Sequence, residues 1–148
     1  MFLKSLPLCR FSDYKFRAIN MRSSFRYIVL PAVIALVIFY LTCIVSVDSI
    51  PGPRSMLQYD KLAHFGMFFS LSAAIYYDYY RLHKGRPNKL KWLLFGLVMP
   101  VIYGGVIEIV QQNYFLRSGE FLDFAADSLG SLSATILAFI YVKMRRKQ

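Results

Sequence analysis

Acidic residues and cysteines are scarce in this chain. Eight Asp and Glu stand against 18 Lys and Arg, and 148 residues hold two Cys. Cys9 and Cys43 are too few for a disulfide framework and lack the spacing of a metal-binding pair. Cys43 also lacks the upstream Leu and small residue of a lipoprotein signal. No A-x-A site follows the first apolar run, which is too long for a signal peptide. A serine nucleophile elbow, a zinc-ligand pattern and a glycine-rich phosphate loop are all missing. These absences remove the well-marked hydrolases, zinc proteins and nucleotide binders, and they assign neither a cofactor nor a metal site.

Apolar residues dominate instead. The chain is 57% hydrophobic, with a mean hydropathy of +0.43, too apolar for a soluble domain of this length. Four long apolar stretches occupy 27–47, 62–80, 92–116 and 121–142. Each is close to the ~20 residues a helix needs to cross ~30 Å of hydrocarbon. The second is the shortest. The expected fold is an all-α membrane protein of four transmembrane helices joined by short external loops. Residues 27–142 would form the membrane domain, behind a basic and disordered leader at 1–26 and before a basic tail at 143–148. Met21 opens a second plausible start.

The net charge of +10 invites a nucleic-acid reading, but its distribution argues otherwise. Fifteen of the 18 basic residues lie in the leader, between the second and third stretches, or in the tail. Only Arg54, Lys61 and Arg117 belong to the other two connections. The positive-inside bias then puts both termini in the cytoplasm, in the inner membrane of a cell. Anionic lipid accounts for the same charges, so membrane lipids are the expected partners and nucleic acid is not.

Against that background the polar residues stand out. Asp60 is expected to cap the second helix, with His64 four residues later on the same face. Four tyrosines around Asp78 mark the opposite end as an aromatic belt. The third stretch carries Pro100 and Gly104-Gly105, which predict a bend, followed by Glu108, Gln111 and Gln112. One of the two amides must share the face of Glu108. Arg117-Ser118-Gly119-Glu120 reads as a tight turn. Asp123 and Asp127 form an i, i+4 pair, and Ala126, Gly130, Ala134 and Ala138 form a small-residue stripe for helix packing. At 1.5 Å per residue, Glu108 lies ~12 Å, Asp127 ~8 Å and His64 ~5 Å from the same end of the bundle. These groups should converge into a polar cup open to the extracytoplasmic side.

The strings DKLAHF at 60–65, EIVQQ at 108–112 and RSGEFLDFAADSLG at 117–130, taken together, resemble the VanZ-like family of small bacterial membrane proteins. The shared pattern is Asp-Lys-x-x-His, then Glu-x-x-Gln, then an Arg followed by Asp-x-x-x-[Asn/Asp]-x-x-Gly. The likeness runs over about residues 28–141. Asp127 departs from it, since the family more often carries Asn there. The resemblance implies a cell-envelope role linked to resistance against teicoplanin, a glycopeptide, and it implies no reaction.

Three functions are compatible with these residues. The leading one is a non-enzymatic module that binds a head group, a lipid-linked wall component or a glycopeptide. Glu108, Asp123 and Asp127 would accept hydrogen bonds or cations, and Lys61 and Arg117 would hold phosphate or carboxylate at the rim. The second is an intramembrane enzyme on a lipid-linked substrate, with His64 oriented by Asp60 as base and the carboxylates holding a divalent metal. The third is a small proton-coupled transporter acting as a homo-oligomer. No inverted repeat supports that reading, and its acids lie off the midplane. Structural glue is the bland alternative, because polar side chains bonding across membrane helices contribute ~0.6 kcal/mol each.

Overall fold

The computed structural model describes residues 27–44, 55–114 and 121–145, all in helices or in the turn between two of them. Four helices follow in order: α1 (Tyr27–Ile44), α2 (Ser55–Leu82), α3 (Lys89–Tyr114) and α4 (Phe121–Arg145). The basic leader, the segment 45–54, the turn at 115–120 and the last three residues lie outside the described residues.

Three of the helices, α1, α3 and α4, are long and apolar enough to cross a membrane. Their outward side chains are apolar, as at Leu36, Ile102, Ile109, Ile136 and Leu137, which gives a surface compatible with lipid contact. The remaining helix, α2, is 28 residues long, ~42 Å at 1.5 Å per residue. It fails on composition and not on length, because His64, Ser70, Ser72, Asp78 and four tyrosines dilute its apolar content.

Local chemistry sets the described boundaries. At the end of α2 the chain turns through Lys84 and Gly85, both at positive φ (49° and 78°). The Gly85 N–H donates back to the Tyr80 carbonyl at 3.0 Å, a left-handed helix stop suited to glycine. Asn88 then opens α3, its side-chain oxygen accepting from the N–H groups of Leu90 and Lys91 at 3.1 and 3.2 Å. Within α3, Leu94–Val98 widens into a π-helical turn just before Pro100, whose ring nitrogen has no proton for the ladder. The expected irregularity of this helix therefore sits one turn ahead of the proline.

The start of α2 corrects one expectation. The helix begins at Ser55, so Asp60 stands inside it and is not its N-cap. Nothing after Pro53 prevents helix formation, and the side chain of Asp60 is left to face its neighbours.

Residue pairings fix the topology. Tyr103 Oη donates to the Ala35 carbonyl and Gln111 Nε2 to the Thr42 carbonyl, both at 2.7 Å, so α1 and α3 run parallel. Pairs of α2 with α4, from Lys61–Asp123 through Tyr76–Thr135 to Tyr80–Tyr141, run parallel as well. Gly104 and Gly105 face Asp127 and Phe124, while Trp92 packs on Phe139, making α3 and α4 antiparallel. The bundle is thus up-down-up-down, with α2 packed most extensively on α4.

Gly130 makes that packing close. A Cβ there would overlap the Phe65 carbonyl oxygen and crowd the Phe69 nitrogen, both main-chain atoms. The small-residue stripe of α4 does face a neighbouring helix, with Gly130 and Ala134 buried. Phe68, Ile38 and Ile107 fill the centre of the bundle.

At the far end, Tyr76 is wholly enclosed. Its ring meets Trp92 edge-on at 4.9 Å. The Thr135 hydroxyl donates to the Ser131 carbonyl at 2.7 Å, so the Tyr76 hydroxyl must donate to Thr135 at 2.9 Å. Part of the expected aromatic belt is therefore core.

Two glycines of this bundle should respond with opposite signs. Gly130→Ala must push two backbones apart and is expected to cost about 1–3 kcal/mol. Gly66→Ala meets nothing within 4 Å and should be neutral or stabilising by up to ~1 kcal/mol. Thermal unfolding of both variants in detergent checks the pair. Equal melting temperatures would contradict the close α2–α4 approach.

Candidate functional site

The first turns of α2 and α4 and the last turns of α3 meet at one end of the bundle, and their polar side chains turn inward. His64 is buried, as are Asp123 and Asp127. His64 Nδ1 lies 3.0 Å from Asp127 Oδ1 in a buried contact. An ionised carboxylate only accepts, so the imidazole donates and its proton belongs on Nδ1. One turn nearer the helix starts, Lys61 Nζ donates to Asp123 Oδ1 at 3.0 Å. Lys61 is partly exposed there and Asp123 is nearly enclosed. The i, i+3 spacing on α2 and the i, i+4 spacing on α4 produce this ladder, because parallel helices align residues 61 and 64 with 123 and 127.

Glu108 joins from α3. Ligand-capable atoms of His64, Glu108 and Asp127 all lie within 4.8 Å of one another, as do those of Asp60, His64 and Asp123. His64 is the member common to both groups. Both carboxylate oxygens of Glu108 are enclosed. Space for the cluster comes from Gly104, one turn before Glu108: a Cβ there would sit 2.9 Å from Asp127 Oδ2 and 3.2 Å from the Phe68 ring. That oxygen accepts no hydrogen bond among the described residues.

The nine sequence-predicted residues divide accordingly. Asp60, His64, Glu108, Asp123 and Asp127 are brought together, with Lys61 on Asp123. Gln111 is buried but spends its amide on the Thr42 carbonyl of α1, so it fastens a helix at the cluster's edge. Gln112 is exposed, and the shared amide face belongs to Gln111. Arg117 lies outside the described residues. The sequence reading oriented His64 by Asp60, whereas its hydrogen bond goes to Asp127. Gly104, expected to bend α3 and admit another backbone, makes room for the Asp127 carboxylate and the Phe68 ring; its position one turn from Glu108 is the available signal. Ser131, one turn beyond Asp127 and fully buried, also escaped notice.

Chemically, the cluster gathers four carboxylic acids, one imidazole and one ammonium group at the end of an apolar bundle. A charge left alone in hydrocarbon costs about 2.5–3.5 kcal/mol on insertion scales. The Lys61–Asp123 and His64–Asp127 pairs offset part of that cost. The excess of carboxylates over basic groups makes the site attractive to hydrogen-bond donors and to cations.

Because His64 and Asp127 satisfy each other in a buried contact, removing one partner costs more than removing both. His64→Leu and Asp127→Leu should each destabilise by about 1–3 kcal/mol, by leaving a buried polar group unpaired. The double variant should recover most of that loss. Unfolding of the four proteins in one detergent gives the coupling, and additive effects would mean the two side chains act separately.

Compared with protein-family models, with curated proteins and with solved structures, the chain finds no match.

Proposed function

We propose that this chain is a VanZ-like, four-span protein of the bacterial inner membrane. Its polar cup binds a head group, a lipid-linked wall component or a glycopeptide from the extracytoplasmic side. The observation that carries this reading is the convergence of His64, Glu108 and Asp127 within 4.8 Å at one end of an otherwise apolar bundle. Three sequence segments far apart in the chain supply these groups, and they are the segments that carry the family resemblance. Lys61, paired with Asp123 and partly exposed, is the described cation available at the rim for phosphate or carboxylate.

In this reading α2 is the fourth span, with His64 and Tyr76 bonded to α4 and away from lipid. The 15-to-3 division of basic residues then orients the cup outward. With both native cysteines replaced by serine, Ser118→Cys should react with a membrane-impermeant maleimide in intact cells. Lys147→Cys should react only after lysis. The reverse pattern would turn the cup toward the cytoplasm and end this proposal.

Function is tested by Glu108→Gln and Asp123→Asn in a strain where deletion alters glycopeptide sensitivity. Each loses a charge-assisted contact, so ligand affinity should fall about tenfold or more, with sensitivity shifting toward the deletion strain at normal protein abundance. Wild-type sensitivity at normal abundance would count against the cup as the ligand site.

An intramembrane enzyme on a lipid-linked substrate is the second reading. One observation favours it: a buried imidazole held by a carboxylate at 3.0 Å, the arrangement a general base needs. Under it, His64→Gln would abolish conversion of lipid-linked precursors, followed by thin-layer chromatography of labelled lipids, while leaving binding in place.

A further inference from the structure

Among the described residues, the His64–Glu108–Asp127 group brings two carboxylates and one imidazole within 4.8 Å of one another. Asp127 is fully buried, yet its Oδ2 has no hydrogen-bond partner among the described residues. That atom is turned toward the α3 turn of Gly104 and Glu108, where the missing Cβ leaves it room. A buried carboxylate oxygen without a donor is costly in a low-dielectric site unless a ligand supplies the missing charge.

We propose that His64, Glu108 and Asp127 form a three-ligand site for a divalent first-row transition metal such as Zn²⁺ or Mn²⁺. Two carboxylates and a neutral imidazole neutralise a dication. The nitrogen donor favours these ions over Mg²⁺ and Ca²⁺, which take oxygen ligands. The spacing fits. Ligands held at ~2.0–2.2 Å from a metal lie ~3–3.5 Å from one another; His64 Nδ1 and Asp127 Oδ1 are already 3.0 Å apart, and Glu108 has to close only from within 4.8 Å. Metal entry exchanges the direct His64–Asp127 hydrogen bond for two bonds to the ion, with the Nδ1 proton moving to Nε2 so that the imidazole stays neutral. Asp60 and Asp123 stay outside this set, because the Lys61 ammonium on Asp123 repels a second cation. Three protein ligands leave a coordination position open, and a phosphate or carboxylate of the envelope ligand would occupy it. This last role rests on the binding function proposed above; the metal site itself does not.

The test is calorimetric titration of Zn²⁺, and separately Mn²⁺, into chelator-treated full-length protein in nanodiscs, with elemental analysis after desalting. One ion per chain is expected. Affinity should fall at least tenfold in Glu108→Gln and in Asp127→Asn, and stay near wild type in Ser133→Ala, a partly exposed position on α4. No binding by folded wild-type protein overturns the site and favours a proton held between the acids. Equal binding by wild type and both ligand variants overturns it too, since the ion would then sit elsewhere. Should either variant fail to fold, the wild-type stoichiometry and competition of Mg²⁺ against Zn²⁺ decide, and displacement by equimolar Mg²⁺ overturns the assignment. Metal binding with unaltered glycopeptide sensitivity in Glu108→Gln would sink the envelope function alone. Altered sensitivity without metal binding would sink the metal alone.

Discussion

The polar end of this molecule depends on how closely α2 approaches α4. Parallel helices in an up-down-up-down bundle are diagonal to each other and would ordinarily be held apart by their neighbours. Here Gly130 lets the α4 backbone reach the Phe65 carbonyl, and Ala134 and Ser131 continue the same narrow seam. A gain of van der Waals contact is the usual return on small residues between membrane helices. In this bundle the approach also brings residues 61 and 64 within hydrogen-bonding distance of 123 and 127. One missing Cβ therefore determines whether a histidine and an aspartate meet or remain two isolated polar groups in hydrocarbon.

The two ends of that seam solve the same problem differently. At the end shared by Trp92 and Tyr76, three polar hydrogens are routed along neutral partners, although Asp78 Oδ2 is buried nearby with no hydrogen bond among the described residues. The Trp92 Nε1–H goes to the Tyr76 carbonyl at 3.1 Å, the Tyr76 hydroxyl to Thr135, and the Thr135 hydroxyl to Ser131. Such a chain is self-contained and suits a structural role, since each donor has its acceptor inside the protein. The opposite end carries formal charge of mostly one sign, and one of its buried oxygens is left without a donor. Structural glue would be better made from the first kind of chemistry. Glue accounts for the two pairs within the acid cluster, and it leaves Asp127 Oδ2 without a hydrogen bond among the described residues, as it leaves Asp78 Oδ2 toward the other end.

Much of this was legible in the chain itself. The apolar stretches mark α1, α3 and α4 to within a few residues but miss the first seven residues of α2, and the i, i+4 spacings with the shared end of the bundle foretell that Glu108, His64 and Asp127 converge. Depth along a helix follows from counting residues. Azimuth does not, because it depends on which helices touch. Hence the partner of His64 is Asp127 and not Asp60, and Gln111 turns toward Thr42 of α1 while Gln112 faces outward. The Asp60 cap failed for a related reason: a cap preference is a weak local signal, and the helix starts at Ser55, soon after Pro53 ceases to forbid it.

Helix α2 shows why hydropathy and membrane function pull against each other in a small bundle. Sequence average makes it the least convincing span, while its Phe68, Ser72 and Tyr76 are among the most enclosed residues of the protein. The side of α2 packed on α4 carries His64 and the Tyr76 hydroxyl inward, while Leu62 and Tyr77 remain exposed. The more apolar α1, α3 and α4 present Leu36, Ile109 and Leu137 outward. In a bundle of this size, polar function therefore collects on the helix that composition ranks lowest and on the faces packed against it.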